Sequence, residues 1–270
     1  MVAGIIPANL SMLQCLKKRA PFECRNGIWL KRDDLWSPDG VRIFGSNARR
    51  MAAAFDALKP KIVEEHSGLV WMKPKTPKEA LQFGLAAGLA GVKALAVLGS
   101  RCRGREWQKA LGESGTEQVQ NVGNALDARQ AIAEAWKLRV EDAFWQVGNA
   151  PSLDILIVSC ADGLLASGII LAIEAGAPIE RVVAVQTDGC KGKEAIQRII
   201  GECDIDRIGE MRHIPEWRVE ICRDWRKTKK IAKDIGGLKL DPLGEAKAWT
   251  YAETWLSEET KGKTVGLWIS

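Results

Sequence analysis

The sequence predicts an α/β protein with mainly parallel sheets covered by helices. Three observations carry that reading. Short β-like runs alternate with helical patterns along the whole chain. LDILIVSC (153–160) is a nearly continuous apolar run, and RVVAVQTDG (181–189) carries the apolar stretch VVAV. Such strands are covered on both faces, as in a parallel sheet with right-handed crossovers. No internal repeat, low-complexity tract or long linker interrupts the alternation.

The elements follow in order. GIWLKRDD (27–34) reads as a strand running into a polar turn, and ARRMAAAFDALK (48–59) as an alanine-rich helix. SGLVWM (67–72) is a short strand. TPKEALQFGLAAGLAG (76–91) is a helix with clear start chemistry. Thr76 suits the N-cap, Pro77 the first helical position, and Glu79 completes a capping box. VKALAVLG (92–99) is a buried strand, and EWQKALGESG (106–115) a helix closed by glycine. EQVQNVG (117–123) is strand-like, and LDARQAIAEAWKL (126–138) an amphipathic helix. The glycine, asparagine and proline of GNAPS (148–152) mark a boundary between two βα halves. Beyond it, the strand at 153–160 leads to helix LLASGIILAIEAG (164–176), and the strand at 181–189 to helix KGKEAIQRIIGE (191–202). WRVEICRDWRKTKKIAKDIG (217–236) carries a strand and then a basic helix. EAKAWTYAETWLSEET (245–260) is a long helix with tryptophans on its buried side, and KTVGLWIS (263–270) a last strand.

Composition excludes several classes. The 270 residues are 46% hydrophobic and 27% charged, which is globular. No run of 18 uncharged apolar residues predicts a membrane span, and the N-terminal residues lack the order of a signal peptide. The 7 cysteines form no CxxC pair, which fits reduced thiols and a cytoplasmic location. His66 and His213 stand far apart without nearby ligands, so no metal site is expected. The net charge of +5 gathers partly in RCRGR (101–105) and RDWRKTKK (223–230). These runs read first as solvated faces and second as anion or nucleic-acid contacts.

Five stretches in order resemble the fold type II family of pyridoxal-phosphate enzymes, in the branch of D-cysteine desulfhydrase and 1-aminocyclopropane-1-carboxylate deaminase. They are GIWLKRDDLW (27–36), FGSNARR (44–50), SCADGLLASG (159–168), LDPLGEAKAW (240–249) and TVGLWIS (264–270). The resemblance implies a two-domain, tryptophan-synthase-β-like fold with the cofactor in the cleft between the domains, often as a dimer. The smaller domain is expected at 45–147, inserted in a larger one made of 1–44 and 148–270.

The family chemistry sets requirements that can be tested residue by residue. The Schiff-base lysine aligns with Ala48, which has no amine. Asn47 stands where the family's asparagine contacts the cofactor or holds the turn. The phosphate needs glycines and free N–H groups at a helix start. Here the loop is Cys160-Ala161-Asp162-Gly163-Leu164, and only Gly163 keeps the pattern. Asp162 either repels the phosphate or caps the helix in its place. The ring-side segment aligns with Thr76 or Pro77, Lys78 and Glu79, so Lys78 is the one candidate for a displaced lysine. The active-site tyrosine aligns with Gly244, and Ser270 with the hydroxyl that meets the pyridine nitrogen. Arg49 and Arg50 are candidate anion ligands, while Lys31, Asp33 and Asp34 read as stabilising the strand-to-turn junction.

The expectation is a non-catalytic relative, without cofactor, repurposed for binding or assembly. Its expected partners are a second copy or another protein, or a small amino-acid-like ligand. The alternative is a genuine pyridoxal-phosphate lyase or deaminase with an engineered Ala48 or a displaced lysine. A nucleic-acid-linked role ranks third, and no membrane association is expected.

Overall fold

The computed structural model describes residues 18–37, 45–100, 102–187, 192–203, 216–221, 230–242 and 244–269. In chain order these form β1 (Phe22–Arg25), β2 (Ile28–Arg32), α1 (Gly45–Ala57), α2 (Lys59–His66), β3 (Leu69–Met72), α3 (Pro77–Ala90), β4 (Lys93–Ala96) and α4 (Arg105–Ser114). Next come β5 (Glu117–Gln118), β6 (Leu126–Asp127), α5 (Ala128–Glu134), α6 (Trp136–Val147), β7 (Leu153–Cys160), α7 (Leu164–Glu174), β8 (Ile179–Gln186) and α8 (Gly192–Glu202). The last are β9 (Glu216–Ile221), β10 (Asp234–Ile235), β11 (Leu238–Lys239), α9 (Glu245–Trp255), α10 (Ser257–Thr260) and β12 (Val265–Ile269).

The chain divides into two compact units. One contains Leu35–Leu138, the other Arg19–Asp34 and Arg139–Ser270. The division falls inside α6, earlier than the boundary at 148 read from GNAPS. The later half of α6 lies on α7, and the contact is tight. A Cβ at Gly168 would stand 2.3 Å from the Val140 carbonyl and 2.6 Å from the Ala143 Cβ. Only glycine lets the two helices approach this closely.

In the first unit four parallel strands run in the order β5-β4-β3-β6. Helix α1 packs on α3, and α3 on α4. Small residues make this possible: α1 buries Ala48, Ala52, Ala53 and Ala54, and α3 buries Ala80, Ala86, Ala87 and Ala90. Phe55 and Phe83 meet edge to face, 6.1 Å between centroids. The start of α3 is capped much as its sequence suggests. Thr76 Oγ1 accepts the Glu79 N–H at 3.1 Å, and Pro77 opens the helix. The Glu79 carboxylate, however, accepts from Lys75 N–H at 2.6 Å, one residue before the cap.

In the second unit six strands run in the order β1-β2-β12-β7-β8-β9, with only the β1–β2 pair antiparallel. Side-chain alternation explains the continuous apolar runs. Ile155, Ile157, Val183, Val185, Leu267 and Ile269 face α9, through Ala246, Ala248, Trp249 and Ala252. Leu156, Val158, Val182, Ala184 and Trp268 face α7 and α8, through Ile169, Ile170, Ile173 and Ile196. Each strand therefore has apolar neighbours on both sides.

Four expected elements differ. The strand at 117–123 is only two residues long. The helix at 126–138 is broken at Ala135, and its second part runs on to Val147. Most of the basic helix before residue 236 lies outside the described residues. Its described end is not helical: β10 and β11 form an antiparallel hairpin around Gly236 and Gly237. Both glycines have positive φ, +55° and +79°, which a two-residue hairpin turn of type I′ demands. Finally, the helix at 245–260 breaks at Leu256, and its tryptophans do not share a face. Trp249 is buried but Trp255 is 65% exposed. Six residues at 3.6 per turn put them about 120° apart.

Candidate functional site

In the first unit the segment aligned with the Schiff-base motif begins at a glycine. Gly45 has φ +74° and donates its N–H to the Trp36 carbonyl at 3.0 Å. This left-handed residue turns the chain into α1. Asn47 is exposed, Arg50 half-buried and Ala48 fully buried. Arg49 is fully buried as well, its guanidinium 5.5 Å from the Trp36 ring. Burial and that ring contact give Arg49 a packing role. Thr76 and Lys78 are exposed at the start of α3, so Lys78 is a solvated helix lysine. Phe44, before this segment, lies outside the described residues, as does Ser270.

Lys31, Arg32 and Asp34 organise the end of β2. Lys31 is fully buried, donates to the Ala20 carbonyl, and lies 4.9 Å from the Phe22 ring centroid and 5.8 Å from that of Trp268. Arg32 holds Asp34 with two bonds of 2.9 Å and Glu23 with one of 2.6 Å. The hydrogen bond from Arg25, with Arg32 adding to it, holds the Glu23 carboxyl below its usual range. Asp33 is buried in the same turn.

In the second unit the loop after β7 carries Asp162 and Gly163. Asp162 Oδ1 accepts the N–H of Leu164, the first residue of α7, at 3.2 Å. Its Oδ2 takes the Arg139 guanidinium at 2.7 Å. The helix N-terminus is thus answered by the chain's own carboxylate. Arg139 was invisible in the sequence, because it lies 23 residues earlier on α6. Gly163 has φ +82°, and a Cβ there would stand 3.1 Å from Ile196 Cγ1 and 3.3 Å from Ile196 N. This glycine serves the close approach of α7 and α8.

The aligned residues depart from those that the resemblance implies for a pyridoxal-phosphate site. A phosphate at the start of α7 would meet the Asp162 carboxylate. Ala48, aligned with the amine by the resemblance, is a buried methyl group. At Gly244 a Cβ would already stand 3.2 Å from Ser159 Oγ and 3.1 Å from Asp241 Oδ2, so a tyrosine ring has no place without rearrangement.

A polar group that sequence reasoning missed lies at the carboxyl ends of β7 and β8, where open parallel sheets place their ligands. Ser159 Oγ and Thr187 Oγ1 are 3.2 Å apart. Lys247, on the first turn of α9 and 1% exposed, donates to the Thr187 carbonyl at 3.4 Å. The carboxylates of Asp241 and Glu245 bond the backbone of the turn before α9, accepting the N–H of Gly244 at 2.6 Å and of Asp241 at 2.9 Å. The one signal available was Lys247 itself, inside the quoted LDPLGEAKAW. Its burial depends on Thr187, 60 residues away.

Elsewhere, Arg103 and Arg105 of the basic run are exposed, while Arg101 and residues 223–229 lie outside the described residues. The described residues contain no cluster of three metal-ligating side chains, and no described helix is long and apolar enough to cross a membrane.

No protein-family model and no curated protein sequence matches the chain. Solved structures do. A homologue of ACC deaminase aligns over 98% of this chain and 94% of its own, with TM-score 0.59 and 18% identity. Serine racemase from Dictyostelium discoideum aligns over 96% of both chains, with TM-score 0.52 and 13% identity. A pyridoxal 5'-phosphate-dependent aspartate racemase aligns over 93% of this chain and 89% of its own, with TM-score 0.50 and 13% identity. With its parallel sheets and covering helices in the same arrangement, the chain has the fold of the fold type II pyridoxal-phosphate enzymes.

Proposed function

We propose that this chain keeps the fold of the pyridoxal-phosphate enzymes but works by binding, without Schiff-base chemistry. The observation that carries the reading is the double engagement of Asp162, by Leu164 N–H and by Arg139. The helix start that would hold a phosphate is capped and charge-compensated from within. Ala48 and Gly244 point the same way, each removing a group the chemistry needs. A small amino-acid-like ligand, a second copy or another protein is the expected partner.

The test is an absorbance titration of the purified protein with pyridoxal phosphate, followed by borohydride reduction and peptide mapping. The expected result is no reducible cofactor band and no modified lysine. A saturable band would overturn the reading. It would favour the second one, a lyase or deaminase with a displaced lysine, which draws support from the enzymes that share the fold. The mapped peptide would then identify the amine, with Lys78 and Lys247 the first to check.

A further inference from the structure

We infer that Lys247, with the hydroxyls of Ser159 and Thr187, binds the carboxylate of a small organic acid. The inference rests on the binding reading above and names its ligand class. It begins with two buried lysines in the same unit. Lys31 has the Ala20 carbonyl and two aromatic faces around its ammonium. Lys247 is equally buried but has neither an aromatic face nor a carboxylate. Among the described residues its ammonium meets one acceptor, the Thr187 carbonyl, across a long 3.4 Å. An ammonium has three donors. Two of them have no acceptor among the described residues, and burying a cation on those terms is costly.

The surroundings favour one kind of compensation. The nearby carboxylates, Asp241 and Glu245, are turned to the backbone at the start of α9. The residue that gives Lys247 its acceptor also brings a hydroxyl, and that hydroxyl meets Ser159 Oγ at 3.2 Å. Ammonium and hydroxyls therefore converge on the ends of two adjacent strands. Gly244 brings only backbone against Ser159, where any Cβ would stand 3.2 Å from its Oγ. One cation and the hydroxyl proton that the Ser159–Thr187 pair leaves free suit a monoanion. A carboxylate has the required charge and two acceptor oxygens.

The experiment measures thermal unfolding of the full chain against acetate, glycine and inorganic phosphate at constant ionic strength. Binding to the native state raises the Tm in a saturable way. Acetate and glycine are expected to do so, and phosphate is not. A glycine response well above that of acetate assigns the site to amino acids; equal responses assign it to simple organic acids. Lys247→Met should weaken the apparent affinity by roughly tenfold or more, the size of a hydrogen bond to a charged group. Ser159→Ala and Thr187→Val should each weaken it by roughly threefold to tenfold. An unchanged response in Lys247→Met, no response in the parent chain, or a preference for phosphate would overturn the inference. If Lys247→Met does not fold, the hydroxyl variants decide: unchanged affinity in both overturns it. Pyridoxal-phosphate uptake is a separate readout, so this site can fail while the binding reading stands, and the reverse.

Discussion

Gly244 shows how a single position records the fate of a site. The resemblance gives this place to a tyrosine. Here the backbone N–H donates to Asp241 Oδ2 at 2.6 Å, and the space a side chain would take belongs to Asp241 and Ser159. The first Cβ would fall 3.1 Å and 3.2 Å from their oxygens. Such contacts are tighter than ordinary van der Waals packing, so Asp241 and Ser159 must give by a few tenths of an ångström. Gly244→Ala is therefore expected to destabilise the chain by about 1–3 kcal/mol, the usual cost of overpacking. Urea unfolding measures it. Adding Ser159→Ala removes one of the two crowded oxygens and should recover part of the loss. A full-strength Gly244→Ala protein would show that this corner is loose. Residues of this kind are poorly legible in a sequence. The alignment exposed Gly244 and Ala48 as departures, but it gave no reason for either. The reasons are neighbours distant in the chain: Ser159 for Gly244, Arg139 for Asp162, Thr187 for Lys247.

At the scale of elements, legibility followed local chemistry. The start of α3 was readable because a cap is a four-residue event. Thr76, Pro77 and Glu79 act within one turn, and the structure moves only the Glu79 bond, by one residue. Thr76→Ala should cost about 1 kcal/mol, the ordinary loss of an N-cap, read as a lower urea midpoint with an unchanged slope. A cost near zero would mean that Pro77 and the Glu79 bond suffice to start the helix. The covered strands β7 and β8 were equally readable, because an eight-residue apolar run has few other uses. The hairpin at 234–239 was misread for an instructive reason. The preceding lysines and the following glycines send opposite signals, and the basic run was extended through them. Two adjacent glycines between isoleucine and leucine were the better guide. The long helix at 245–260 failed differently. Its composition was right, but helix geometry rotates Trp255 away from the face that holds Trp249.

Across the whole molecule, the response to acid collects contributions of opposite sign. Glu23 and Glu134 have carboxyls held below their ordinary value of 4.5, the first by Arg25 and then Arg32, the second by Lys61 and then Gln130. A lowered folded value means stability that is present above pH 4.5 and lost as the pH falls through the folded value. Glu174 has the opposite sign. Burial raises its carboxyl above 4.5, and among the described residues its Oε2 has no hydrogen-bond partner. It is also the last residue of α7, where the helix dipole disfavours a negative charge. Its ionisation therefore costs stability at neutral pH, and the cost disappears as the pH falls through the raised value towards 4.5. Glu174→Gln removes the ionisation and keeps the shape. At pH 7 it should stabilise the protein by about 0.3–1 kcal/mol, the usual size of a helix-terminus charge effect. Below pH 4 the two proteins should unfold alike. Glu23→Gln should do the reverse, weakening the protein at pH 7 and flattening its decline in acid. The measurement is urea unfolding of the three proteins from pH 3 to 8, compared as differences from the parent. A Glu174→Gln difference that is zero at pH 7, or that grows towards acid, would show that this carboxylate finds a partner in solution and that α7 ends differently from the way described here.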